Sequence, residues 1–249
     1  MSAPVFIHPG SGSASVGDIL TLSGAEGRHA ATVQRLGVGE PIELVDGGGA
    51  RAAGAIVAVR PGEVDVRVDG IGRDEDPPVT LVQALAKGGR DEQAIEAATE
   101  LGATRIVPWQ ARRSIAQWKG PKADKGREQW RSLVTAATKQ SRRALVPAVE
   151  PLVTTAQLLR LVEHAVAAGE RVLVLHEEAA TPIGALAWPD PRQGVWLVVG
   201  PEGGIPDDEV AQLAAAGAEA VVLGPHVLRT SSAGPAAIAA LAIARGTWA

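Results

Sequence analysis

The chain has 249 residues, 46% of them hydrophobic, a formal net charge of −4 and no cysteine. That length suits one large domain or two smaller ones, and the missing cysteines exclude disulfides and thiolate metal sites and make a cytosolic address the default. No run of about 18 uncharged apolar residues marks a membrane span, and the first residues lack the basic-then-apolar pattern of a secretory leader.

The charge is unevenly spread. Between Arg105 and Arg143, eleven basic residues face only Asp124 and Glu128, and eleven against two leaves +9 on a chain that is −4 overall. A basic block on an acidic protein is a footprint for a polyanion. Trp109, Trp118 and Trp130 interleave with it. They are placed either to stack on bases or, as is commoner for single tryptophans, to fill a core.

Taken in order, residues 1–73 read as a small all-β module. Apolar and polar residues alternate over 51–60 and 63–68 around Pro61-Gly62, and the strand 41–45 runs into the turn Asp46-Gly47-Gly48-Gly49. Residues 27–36 read as a short helix with basic groups, including His29 and Arg35, whose roles the spacing leaves open. Residues 74–78, Asp-Glu-Asp-Pro-Pro, read as a linker. Beyond them the pattern predicts strand 79–85, helix 91–101, strand 105–108 and helices 126–140 and 156–168. Strands 171–175 and 195–199, helix 207–216, strand 220–223 and helix 232–245 complete the chain. Strands alternating with helices imply an α/β domain over 79–249, with a mostly parallel sheet covered on both faces.

The stretch 195–209 is the centre of this domain. Five apolar residues end at Gly200, the loop Gly200-Pro201-Glu202-Gly203-Gly204 follows, and Pro206, Asp207, Asp208 and Glu209 mark a helix N-terminus. Neither G-x-G-x-x-G nor G-K-[ST] is present.

In an open α/β sheet, ligands bind beyond the carboxyl ends of the strands. Three such ends are distinctive here: Leu175-His176-Glu177-Glu178, the 200–204 loop, and the run from Leu223 to Ser232. Side by side they form a pocket rich in backbone donors and poor in charge, better suited to a neutral nucleoside-like cofactor than to a triphosphate. No cluster has metal-ligand spacing. A hydrolase built on Ser231 or Ser232 with His226 would lack the G-x-S-x-G elbow. The last helix is apolar nearly all round, which requires burial in a core or a subunit interface.

Three segments carry a family pattern: LVVGPEGGIPDDEV over 197–210, VVLGPHVLRTSSA ending at Ala233, and GRHAATVQRLGVGEPIELVDGGG beginning at Gly27. With VQALAKGGRDEQAIEAATELGATRIVPWQARRS and KQSRRALVPAV between them, the chain resembles, over its whole length, the RsmE-type 16S rRNA uridine N3-methyltransferases of the SPOUT class. The resemblance implies a PUA-like β-barrel over 1–73 and a SPOUT α/β domain with a deep trefoil knot over 79–249. It implies S-adenosyl-L-methionine as cofactor, no metal, and a cytoplasmic homodimer. The implied substrate is 16S rRNA within the small ribosomal subunit, methylated at uridine-1498 in the usual family description.

By the same resemblance Arg229 and Glu202 are the catalytic candidates, Arg229 as partner of the uracil anion and Glu202 as proton acceptor. Their plainer roles would be an Arg229–Glu202 pair fixing the loops, or Glu202 capping the following helix. The cofactor falls to Leu175, His176, Gly200, Pro201, Glu202, Gly203, Gly204, Leu223, Gly224, Leu228, Arg229, Thr230 and Ser231. RNA falls to Arg35, Lys87, Arg90, Arg112, Arg113, Lys139, Gln140, Arg142 and Arg143. Two departures stand out. Ser231 replaces the acid that commonly follows Arg-Thr in the family, so a carboxylate there is not essential if this chain is active. Val5-Phe6-Ile7-His8 also lacks the arginine some members place before His-Pro. A SPOUT methyltransferase on a different RNA, and a non-catalytic knotted ribosome-assembly factor, are the alternative readings.

Overall fold

The computed structural model describes residues 3–248 and resolves into two compact units. The first runs to Asp76 and takes in Thr138–Val146; the second holds the remainder. Met1, Ser2 and Ala249, the ends of the two expected domains, lie outside the described residues.

In the first unit, strands β1 (Val5–Ile7), β2 (Ile19–Leu22), β3 (Pro41–Val45), β4 (Ala50–Arg60) and β5 (Glu63–Arg73) form one mixed sheet. Its order is β1-β3-β4-β5-β2, with β1 parallel to β3 and the other pairs antiparallel. The expected alternation is present on β5, where Val64, Val66 and Val68 are buried and the residues between them face outward. Phe6, Leu22, Ile42, Leu44 and Ile56 join them in a core shared by all five strands. Two register shifts in β4, at Ala53/Gly54 and Ile56/Ala58, bend the long hairpin. Gly54 is required at the first shift, because a Cβ there would sit 2.0 Å from the Arg67 carbonyl oxygen. The expected helix over 27–36 begins earlier, as α1 (Gly24–Arg28), and continues as a π turn over His29–Val33.

Residues 138–146 are bound into this unit by polar contacts. The Gly49 N–H donates to the Ala144 carbonyl at 3.1 Å, and the Val146 N–H to that of Gly47 at 2.9 Å. Arg51 lies at the centre, bonded to Glu43, to Asp74 at 2.7 Å and to the Arg142 carbonyl at 2.8 Å. Asp74 also accepts from the Ala144 N–H at 2.9 Å. Burial pushes the Asp74 pKa up, but the Arg51 hydrogen bonds, the Ala144 N–H and the charges of Arg51 and Arg143 outweigh it and hold the carboxyl below its ordinary range. A carboxylate with a depressed folded pKa stabilises above its unfolded pKa, and that stability is lost as pH falls through the folded value. Asp74→Asn should therefore destabilise this unit by about 1–2 kcal/mol at pH 7. Faster hydrogen exchange of the β3 and β4 amides would report it, and the gap to wild type should close in strong acid.

In the second unit, β6 (Val79–Ala84), β7 (Arg105–Gln110), β8 (Ala148–Val149), β9 (Val153–Thr154), β10 (Arg171–Leu175), β11 (Val195–Val199) and β12 (Glu219–Val221) make a sheet whose pairs are all parallel. The order is β12-β10-β11-β6-β7-β8, with β9 also on β7. Central β6 and β11 are buried at every position, as continuous apolar strands covered on both faces must be. Helices α2 (Arg90–Glu100), α3 (Pro121–Ser141), α4 (Thr155–Ala167), α5 (Asp207–Ala215) and α6 (Thr230–Ala244) complete it, the last residues of α3 belonging to the first unit.

α4 opens on a Thr154/Gln157 capping box. α3 starts five residues before the expected 126, because Pro121 can open a helix whose first N–H needs no partner. Leu158, Val162 and Leu213, from α4 and α5, pack on Val172, Val174, Trp196 and Val198 of the sheet. On the other face α6 lies close over β6 and β11, where Gly234 is needed: a Cβ would stand 2.9 Å from Leu81.

After β12 the chain turns back toward the sheet centre. Val222 pairs with Thr181 and Ile183 through backbone hydrogen bonds at 2.9 Å each, and His176 N–H reaches the Val221 carbonyl at 3.0 Å. Eight residues later Thr230 touches β6 and the end of β11. No helix among the described residues is long and apolar enough to cross a membrane.

Candidate active site

Parallel strands place their carboxyl ends along one edge, so the ends of β10, β11 and β12 meet there. They enclose a cavity of about 290 Å³ lined by Arg90, Glu177, Pro201, Glu202, Gly204, Val227, Leu228, Arg229 and Thr230. A smaller pocket of about 70 Å³ adjoins it, lined by Leu175, His176, Glu177, Val222, Leu223, His226, Val227, Leu228 and Ala233. The two share Glu177, Val227 and Leu228. Together they reach the lower range of small-molecule sites, roughly 300 Å³ and upward. Of the expected cofactor residues, Leu175, His176, Pro201, Glu202, Gly204, Leu223, Leu228, Arg229 and Thr230 line this space. Gly200, Gly203 and Gly224 belong to the same loops and Ser231 to the first turn of α6, but they are not among the lining residues.

The 200–204 turn is held from three sides. The Thr230 hydroxyl donates to the Gly200 carbonyl at 2.7 Å. Arg113 Nη1 donates to the Gly203 carbonyl at 2.9 Å. Glu202 Oε1 accepts from the Lys87 N–H at 2.9 Å and from Arg90 Nη1 at 3.0 Å. Gly204 adopts φ of 71°, the left-handed region that glycine enters at least cost. Behind the turn, the wholly buried Gln83 donates from Nε2 to Thr230 Oγ1 at 2.9 Å and to the Ala84 carbonyl at 3.1 Å. Its Oε1 is buried without a hydrogen-bond partner. Buried Asp91 fixes the neighbouring 85–87 loop by accepting from the Ala86 N–H at 3.1 Å. Burial, and to a smaller extent the Glu202 charge, pushes the Asp91 pKa up against the pull of backbone N–H groups.

These contacts redistribute the expected roles. Glu202 pairs with Arg90 rather than with Arg229, and it does not cap α5, whose N-terminal side chain is Pro206. Burial raises the Glu202 pKa, but its own N–H, that of Lys87 and the Arg90 guanidinium outweigh this and hold the carboxyl low. Arg229 is exposed at the N-terminus of α6, on the cavity wall, and its side chain makes no hydrogen bond or ion pair among the described residues. Glu177 is likewise on the wall and without a partner among them.

The basic candidates separate into two groups. Lys139 pairs with Glu26 at 2.7 Å and lies over the Phe6 ring, and Arg143 is buried against Asp76 at 2.8 Å. Both are structural in the first unit, contrary to the expectation that they face RNA. Arg112 pairs with Asp208. Arg35, Lys87, Gln140 and Arg142 are exposed. Arg35 and Arg142 also hold positive φ, 56° and 61°, each just past a helical segment. Trp109 and Trp130 are fully buried and cannot stack on bases, whereas Trp118 packs edge-on to Trp130 with centroids 5.0 Å apart. Gln83 and Asp91 escaped the sequence reading, and Glu177 entered it only as part of a strand end, with no role. Of these only Glu177 carried a signal, its place at a strand end. No group of residues among those described has the make-up of a metal site.

Residues 74–242 match the RNA methyltransferase domain family and residues 22–69 the RNA methyltransferase PUA domain family. A Mycobacterium bovis protein named ribosomal RNA small subunit methyltransferase E is 46% identical, over 93% of this chain and 89% of its own. Its Bacillus subtilis namesake is 30% identical over 89% and 88%. The fold is similar to that of the Neisseria gonorrhoeae ribosomal RNA small subunit methyltransferase E bound to S-adenosyl methionine. That comparison gives a TM-score of 0.85 at 30% identity and covers 97% of this chain and 98% of the other. The chain belongs to the ribosomal RNA small subunit methyltransferase E family, with a SPOUT methyltransferase domain and a PUA-like domain.

Proposed function

We propose that this member of the family transfers a methyl group from S-adenosylmethionine to N3 of a single uridine in the 16S rRNA of the small ribosomal subunit. Methylation of rRNA with this cofactor follows from the family; the uracil N3 target is the finer claim. The observation that carries it is the cavity at the three strand ends, whose wall holds Arg229, a cation with no partner among the described residues, beside small and apolar residues.

The cavity fits the cofactor in chemistry. The smaller pocket, with Leu175, Val222, Leu223, Val227, Leu228 and Ala233 on its walls, suits a flat uncharged nucleoside base. The larger suits the polar remainder. When bound, S-adenosylmethionine supplies an electrophilic methyl carbon on a sulfonium. Uracil N3 is a poor nucleophile until it loses its proton, so the protein has to orient the base and stabilise its anion. Arg229 does the second, and its guanidinium lowers the acidity barrier of a neighbouring N–H. Glu202, committed to Arg90 and Lys87, keeps the turn in place.

The account extends to partners. Ile243 and Trp248, 68% and 48% exposed near the apolar end of α6, support a homodimer that covers them. Arg35, Gln140 and Arg142, with Lys87, are the exposed groups available to rRNA. The enzyme acts in the cytoplasm, where ribosomal subunits are assembled.

The test is methyl transfer from labelled S-adenosylmethionine to unmodified small subunits, with the rRNA digested and its nucleosides identified by mass spectrometry. The expected product is 3-methyluridine. A 2′-O-methylated nucleoside, or label in another base, would overturn the N3 assignment.

A further inference from the structure

Methylation at N3 releases a proton, and the carboxylates around the cavity that could accept it are, but for one, engaged or missing. Glu202 takes hydrogen bonds from Lys87 and Arg90. Asp91 is buried beneath the 85–87 loop and takes those of Ala86 and Glu92. Position 231 holds serine. His176 Nδ1 accepts from the Glu178 N–H at 3.3 Å. Of the carboxylates lining the cavity and its adjoining pocket, Glu177 alone has no partner among the described residues, and it lies on the wall common to both.

We propose that Glu177 is the proton acceptor of the reaction, working with Arg229, which lines the same cavity. The proposal rests on the uracil N3 reading above. Position and chemistry support it together. Glu177 lines both the smaller pocket and the larger cavity, so it borders a cofactor that occupies the two. The pair also supplies complementary charges: a carboxylate for the departing proton and a guanidinium for the charge left on the uracil oxygens. In the step, the N3–H bond breaks and its proton passes to a Glu177 carboxylate oxygen. The electron pair left on N3 forms the bond to the methyl carbon, and the carbon–sulfur bond breaks with its pair going to sulfur. Glu177 then releases the proton to water. A positioned base of this kind contributes about 10²–10⁴-fold to a rate, so its loss is measurable without abolishing binding.

Glu177→Gln keeps the shape and removes the acceptor. Two measurements test it: calorimetric affinity for S-adenosylmethionine, and single-turnover methylation of small subunits whose rRNA carries either uridine or 5-fluorouridine. Fluorine makes N3–H more acidic, so a missing base matters less. The expected result is cofactor affinity within about threefold of wild type, a loss of about 100-fold on uridine, and a several-fold smaller loss on 5-fluorouridine. Wild-type rates in the variant, an equal loss on both substrates, or a loss confined to cofactor affinity would each overturn the role. Wild-type enzyme run alongside separates the two claims: if it makes no 3-methyluridine, the N3 reading has failed and the Glu177 role falls with it.

Discussion

Arg229→Ala is expected to lower methyl transfer by about 10²–10³-fold, with cofactor affinity within a few-fold of wild type. The side chain stands on the cavity wall with no partner among the described residues, so it is available to charge that develops during reaction. Its backbone forms the N-cap of α6, and the positive end of that helix reinforces the field. Charge on a uracil anion is shared between N3 and the two exocyclic carbonyl oxygens, and a guanidinium can meet one of those oxygens with a charge-assisted hydrogen bond. Arg229→Lys keeps the charge and loses the planar fork, so an intermediate rate follows. Single-turnover kinetics and calorimetry on the same preparations separate the two quantities. Unchanged turnover in Arg229→Ala, or a deficit wholly in cofactor affinity, would place Arg229 outside the chemistry.

Thr230→Val is expected to cost about 2–3 kcal/mol in stability, because it removes two buried hydrogen bonds at once. The valine has nearly the same shape, but the Gly200 carbonyl loses its side-chain donor and Gln83 Nε2 keeps only the Ala84 carbonyl of its two acceptors. Thr230 is 6% exposed and Gln83 0%, so water replaces neither bond readily. The thermal midpoint should fall by about 5–10 °C. Cofactor affinity should drop more than about tenfold, since the freed 200–204 turn must be ordered again on binding. Thr230→Ser restores the hydroxyl and should recover most of both. Gln83→Leu should resemble Thr230→Val in affinity and be milder in stability, because the unpartnered Oε1 disappears with the amide. Melting curves and calorimetry decide the matter; full affinity in Thr230→Val would show that the turn holds without this bond.

The parallel sheet was legible because its central strands are short apolar runs without alternation, Val195–Val199 above all, bounded by glycine and proline. The three strand ends followed from that, since their order along one edge is a property of parallel strands. The strands β8 and β9, at two residues each, are too short to show any period. What a charged side chain does was less legible still. Lys139 finds Glu26 across 113 positions, and Arg90 finds Glu202 across 112. Such pairs are made by the tertiary fold, so a count of basic residues from Arg105 to Arg143 could not tell a structural lysine from one free to meet RNA. Burial of Trp109 and Trp130 has the same origin. The acid that matters most in the proposed chemistry, Glu177, was visible at the end of a strand. It became distinctive only when the structure showed that the neighbouring carboxylates are engaged.

A methyl on uracil N3 occupies the Watson–Crick edge, so it stops reverse transcription one nucleotide short of the modified base. Primer extension along small-subunit rRNA, after treatment with the enzyme and S-adenosylmethionine, therefore tests the central claim most directly. One strong stop at a single uridine, absent without cofactor and nearly absent with Arg229→Ala, is the predicted result. Full-length extension after confirmed methyl incorporation would place the methyl off the pairing edge and contradict the account.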